Sequence, residues 1–230
     1  MTQTALIGEM PLPKSSRRPR KWRLADIIDG RKLRVQLTAM AQEHIGQEAE
    51  KRKRALDLLH AGLFRGRMIA EERLKAGADG LDTARLLSAV QDEVISALYD
   101  FTVTHVYRAS NPTEGERLAI FATGGYGRNV LAPSSDIDLL FLRRYNVSPW
   151  AESVIEYILY ALWDMGLKVG HAFRTIEGCL SLAREYVTIK TSLLDERFLL
   201  GDRAFSVEFQ KRIEKDCIKV QDADFIADKL

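Results

Sequence analysis

The stretch Gly124–Leu142, GGYGRNVLAPSSDIDLLFL, constrains the fold of this 230-residue chain more than any other. It joins two short apolar runs, RLAIFAT (Arg117–Thr123) and DIDLLFL (Asp136–Leu142), through a glycine-rich turn. Short apolar runs bounded by turn signals read as buried strands. Side chains two apart on a strand point to the same face. Asp136 and Asp138 therefore project together while Ile137 enters the core. Two like charges placed side by side repel, and burying them uncompensated is costly. A hard divalent cation resolves the conflict. Mg²⁺ prefers carboxylate oxygen, keeps several waters and is usually shared with the phosphates of a ligand. The pair is expected to hold Mg²⁺ together with a nucleoside triphosphate.

The turn supplies the other half of such a site. Gly124, Gly125 and Gly127 let backbone N–H groups approach phosphate oxygens closely. Arg128 presents a fixed fork of donors for the same oxygens. Ser135, like Ser134, either bonds a phosphate or caps the turn before Asp136. The pattern lacks the Gly-Lys-Ser/Thr of a P-loop. It is not read as a dinucleotide-binding fingerprint either, because no helix is expected to open at the glycines.

Helical patterns flank this region. Residues 38–76 carry Leu56, Leu59, Leu63 and Ile69 at near-helical spacing, and Gly77–Asp82 breaks the pattern. Leu86, Val90, Val94, Leu98 and Phe101 mark one apolar face of a longer helix over about 83–108. Pro149 to Gly166 opens on proline and closes on glycine, a helix signature. LKVGHAFRT, Leu167–Thr175, reads as a third strand, with a helix after it near Glu177–Tyr186. The remainder from about Val187 reads as helical with a break at Gly201–Asp202. The expected organisation is a mobile basic arm over 1–25, a helical segment over 26–110, an α/β core over 111–202, and a C-terminal helical region over 203–230.

Other signals exclude more than they assign. The formal net charge of +2 gives no argument for a nucleic-acid partner. KRKR, Lys51–Arg54, falls within a helical pattern and is expected as a solvent-facing stripe. Two distant cysteines, Cys179 and Cys217, lack zinc-ligand spacing and fit a reduced, cytoplasmic setting. No apolar run approaches a membrane span.

Taken together, GGYGRNVLAPSSDIDLLFL, ALWDMGLKVGHAFRTIEGCL and TSLLDERFLLGD resemble the polymerase-beta-like nucleotidyltransferase superfamily. More closely, they resemble the N-terminal domain of the bacterial PII uridylyltransferase/uridylyl-removing family. The resemblance covers about Arg117–Asp202. It implies an α+β fold with a small mixed sheet between N- and C-terminal helices. It also implies transfer of UMP from UTP to a tyrosine of the regulatory protein PII, with release of pyrophosphate. In that picture Asp136 and Asp138 are the catalytic metal ligands for Mg²⁺. Gly124, Gly125, Gly127, Arg128, Ser135 and His171 are expected at the nucleotide.

The match is incomplete in two places. Many members of the superfamily carry a third carboxylate on a later strand, but LKVGHAFRT has none. Three readings stay open: His171 takes part, Asp195 or Glu196 reaches in, or two aspartates suffice. Arg174 reads as a phosphate contact or a surface ion pair, and Asp195–Arg197 as a structural charge network in a helix. The chain is also expected to be a fragment, because no His-Asp dipeptide marks the hydrolase domain of the longer enzymes. Two alternatives stand beside the uridylyltransferase reading. One is a nucleotide-binding but inactive fragment. The other is a nucleotidyltransferase with a different protein, small-molecule or RNA acceptor.

Overall fold

A computed structural model describes residues 22–109, 113–145 and 148–218. Of the arm expected over 1–25, residues 1–21 lie outside the described residues. Trp22 packs partly buried against the core, and Leu24–Ile27 (α1) already forms a helical turn. The helical segment consists of α2 (Gly30–Glu43), α3 (Glu48–Lys75) and α4 (Gly80–Phe101), the last continuing as a π-helical turn over Thr102–Val106. Asp29 and Asp79 cap α2 and α4 by accepting from Lys32 and Asp82 backbone N–H groups. The five apolar residues stepping along α4 are all at most 2% exposed, as their spacing requires.

KRKR is not one stripe. Lys53 and Arg54 face solvent, but Lys51 is buried and pairs with Glu48 at 2.6 Å. Arg52 reaches Asp164 at 2.6 Å and Arg54 reaches Glu50 at 2.7 Å. Four consecutive residues turn right round a helix of 3.6 residues per turn, so they cannot share a face.

Four strands follow among the described residues: β1 (Leu118–Thr123), β2 (Ile137–Arg143), β3 (Val169–Arg174) and β4 (Arg197–Gly201). They form one mixed sheet in the order β3-β2-β1-β4, with β1 antiparallel to both β2 and β4, and β2 parallel to β3. β4 corrects the expectation of helix after Val187. Its three-residue apolar run, Phe198–Leu200, suits a buried helix or a strand by itself, and the open edge of β1 decides for strand. One helical turn, α5 (Gly124–Gly127), also opens directly at the glycines where none was expected.

Helices cover both faces of the sheet. Ile120, Ala122, Ile137, Leu139 and Phe141 share one continuous core with α2, α3, α4 and α6 (Pro149–Asp164). On the other face, Ala119, Phe121, Leu140 and Leu142 pack against α7 (Ile176–Glu185), α8 (Val187–Leu194) and α9 (Arg203–Ile213). Phe121 anchors this second core through edge contacts with Phe198 and Phe209 at ring distances of 5.7 and 5.1 Å. Among the described residues no helix is long and apolar enough to cross a membrane.

Candidate functional site

β1, the turn and β2 form a hairpin whose register brings the turn and Asp138 together. Thr123, the last residue of β1, pairs with Asp138. On its other side, Asp138 pairs with Gly170 of β3. Its carboxylate therefore sits between two glycines. A Cβ on Gly124 would stand 3.1 Å from Asp138 Oδ2, and one on Gly170 only 2.2 Å from Oδ1. Gly124 also adopts φ +58°, which any other residue reaches only with strain. Asp138 is exposed although its neighbours Ile137 and Leu139 are 1% and 2% exposed. Asp136 is exposed just before β2 begins. The expected pair thus stands at the mouth of an otherwise buried strand.

The same face continues into a cleft of about 300 Å³ that runs from Thr123 and Asp138 past Gly170 to Arg174, with Ser192 and Leu193 of α8 opposite. Arg174 has no ion-pair partner among the described residues. At about 3.3 Å per residue, four residues separate it from Gly170 by ~13 Å along β3.

His171 is not brought to Asp138. It borders the cleft, but strand alternation turns its imidazole to the opposite face, beside Trp163 at 5.9 Å and Phe173 at 5.2 Å. Residue 170 cannot supply a third acid while Asp138 holds this position, because any side chain there meets its carboxylate. Asp195 and Glu196 are engaged elsewhere. Asp195 accepts from the Arg128 guanidinium. Glu196 accepts from Gln210 Nε2 at 3.0 Å, and burial pushes its carboxyl above the usual carboxylate range. Among the described residues no group of three or more His, Cys, Asp and Glu side chains is placed to hold a metal. Two exposed carboxylates beside a cradle cleared of side chains still suit Mg²⁺, which takes oxygen donors and completes its shell with water and phosphate.

Ser135, one of the residues with two roles open, donates from its hydroxyl to the Ala132 carbonyl at 3.0 Å and closes the local turn. Arg128 lies at the end of the glycine turn with its charge shared with Asp195.

The turn rests on a charge network that includes Arg197, as expected of Asp195–Arg197, together with Asp92 and Tyr126, which sequence did not single out. Arg197 donates to both oxygens of Asp92, at 2.8 and 3.1 Å, and to the carbonyls of Tyr126 and Gly127, at 3.2 and 3.3 Å. Tyr126, 1% exposed, donates its hydroxyl to Asp92 at 2.7 Å. Burial, then the Asp92 charge, push the Tyr126 phenol well above its ordinary value. Gly127 must lack a side chain, because a Cβ would stand 2.0 Å from the Asp195 carbonyl. The Asp195–Arg197 segment is thus a wall behind the glycine turn, not part of a helix. An aromatic inside a glycine turn was the only local signal of this network. Asp92 lies 34 residues from Tyr126 and 105 from Arg197, beyond any pattern of local spacing.

No family model matches the chain. It is 59% identical over 214 residues to the bifunctional uridylyltransferase/uridylyl-removing enzyme of Caulobacter vibrioides. It is 60% identical over 213 residues to the enzyme of the same name from Phenylobacterium zucineum, and 43% over 203 residues to that of a Bradyrhizobium species. The matches take in 93%, 93% and 88% of this chain, but 23%, 23% and 22% of those relatives. The chain therefore spans less than a quarter of the length of the curated relatives it matches, in the region of their N-terminal domain.

Proposed function

We propose, for a chain homologous to the N-terminal domain of bifunctional uridylyltransferase/uridylyl-removing enzymes, that it carries the nucleotidyl-transfer site. In this reading UMP passes from UTP to a tyrosine hydroxyl of the regulatory protein PII. The tyrosine oxygen bonds to the α-phosphorus, the bond to the β-phosphate bridge breaks, pyrophosphate leaves, and the hydroxyl proton passes to solvent. Asp136 and Asp138 would hold Mg²⁺, which when bound neutralises phosphate charge and polarises the reacting oxygens. Gly124, Gly125 and Gly127 present backbone to the triphosphate, and the wall of Arg197, Asp92 and Tyr126 keeps that backbone in place. Arg128 exchanges Asp195 for a phosphate oxygen, because a guanidinium pairs with either acid. Ser135 acts by shaping the turn, and His171 has no part at the phosphates.

The observation that carries the reading is the Asp138 carboxylate, exposed at the end of a buried strand and walled by Gly124 and Gly170. The test is label transfer from α-³²P-UTP to purified PII with Mg²⁺, with ATP and CTP alongside. Labelled PII that disappears in the Asp136→Asn/Asp138→Asn variant supports the reading. A folded chain that labels nothing, or labels equally well without both aspartates, refutes it.

A further inference from the structure

A second cavity, of about 190 Å³, lies between α3, α4 and the loop that runs into Asp136. Its walls are mostly apolar, with Ala70, Leu87 and Leu131 among them. Its lining includes a polar group whose needs the protein does not meet. Gln91 is 1% exposed, and among the described residues neither its Nε2 nor its Oε1 has a hydrogen-bond partner. Buried carboxamides are normally paired, and one left unpaired on both sides calls for a ligand or water. At the exposed mouth stands Arg67, which has no ion pair among the described residues.

These features define a ligand. A carboxamide offers one donor beside one acceptor in a plane, and a nucleobase edge offers the complement. Apolar walls suit the faces of a flat ring. The space is below the roughly 300 Å³ of typical drug-sized pockets, which favours a single ring over a fused pair. The guanidinium at the mouth suits a phosphate. We propose that this cavity binds a pyrimidine nucleoside monophosphate, with the base edge on Gln91 and the phosphate on Arg67. The site does not depend on the transfer reading. It lies on the α4 side of the hairpin loop, whereas Asp138 faces the cleft against α8. Because Ala132–Ser135 line it and lead directly into Asp136, a bound nucleotide would tether that loop.

The test follows the Gln91 side-chain amide by NMR in the ¹⁵N-labelled chain while UMP, uridine or ribose 5-phosphate is added to millimolar levels. UMP is expected to shift the amide, uridine to do so more weakly, and ribose 5-phosphate to leave it unchanged. Gln91→Leu keeps the volume, removes the unpaired amide, and is expected to stay folded while weakening UMP binding by at least about tenfold. Arg67→Ala is expected to weaken UMP but not uridine. An unmoved amide at millimolar UMP overturns the proposal, as does a Gln91→Leu protein with unchanged UMP affinity. Equal effects of ribose 5-phosphate and UMP would make this a phosphate site and overturn the base assignment. A crystal grown with UMP that shows only ordered water on Gln91 would refute it as well.

Discussion

Gly170→Ala isolates the position of one carboxylate from everything else in the fold. The added Cβ would stand 2.2 Å from Asp138 Oδ1, against 3.4 Å for ordinary van der Waals contact, so about 1.2 Å must be recovered. The obstacle is the tip of an exposed side chain, and the strand backbone need not move. Swinging Asp138 some 30° off its rotamer costs about 0.5–1.5 kcal/mol. Alanine loses less backbone entropy than glycine in a strand, which offsets part of that. The net loss of stability is expected to be under about 1 kcal/mol. Catalysis should suffer far more, because a misplacement of about 1 Å at a reacting centre costs on the order of 10²-fold. The assay pairs label-transfer kcat with a urea unfolding curve and with Mn²⁺ binding followed by water-proton relaxation. The expected outcome is a near-normal curve, weakened Mn²⁺ binding and turnover down about a hundredfold. Near-normal turnover and Mn²⁺ affinity in Gly170→Ala would refute the argument that Asp138 must occupy this cradle.

Further outcomes test the supports. Tyr126→Phe removes only the hydroxyl bond to Asp92 and should cost about 1 kcal/mol in chemical denaturation. Asp92→Ala leaves the half-buried Arg197 without its carboxylate and should cost about 1–3 kcal/mol, with kcat falling more than UTP KM rises. Gly66→Ala puts a Cβ 2.5 Å from Val90 Cγ1 where α3 crosses α4. Overpacking of about 1–3 kcal/mol should outweigh the roughly 1 kcal/mol helix preference for alanine, so its melting temperature should fall. The Arg117 hydrogen bond, chiefly, holds the Asp202 carboxyl below the usual range. A depressed carboxylate stabilises the fold fully above its unfolded value of about 3.9, and that contribution is lost as pH falls through the lower folded value. The stability gap between wild type and Arg117→Gln should therefore be constant near neutral pH and narrow below about pH 4. A gap that widens with acid would contradict the sign.

Local chemistry was legible in the sequence wherever the responsible residues are close together along the chain. Pro149 begins α6, the apolar steps of α4 face the core, and Asp136 and Asp138 mark the mouth of β2, all from spacing and turn chemistry alone. The tertiary structure decided what depends on partners far away. Arg197–Gly201 became a strand because β1 offered an unpaired edge, although its short apolar run carries no periodicity that separates strand from helix. His171 left the Asp138 face because the parallel register with β2 assigns that face to Gly170 and Arg174. Asp92 joined the glycine turn through Tyr126 and Arg197, 34 and 105 residues away. Sequence by itself determined which chemical groups stand near one another along the chain. Strand pairing, which joins distant segments and sets which face each side chain takes, determined which of them meet.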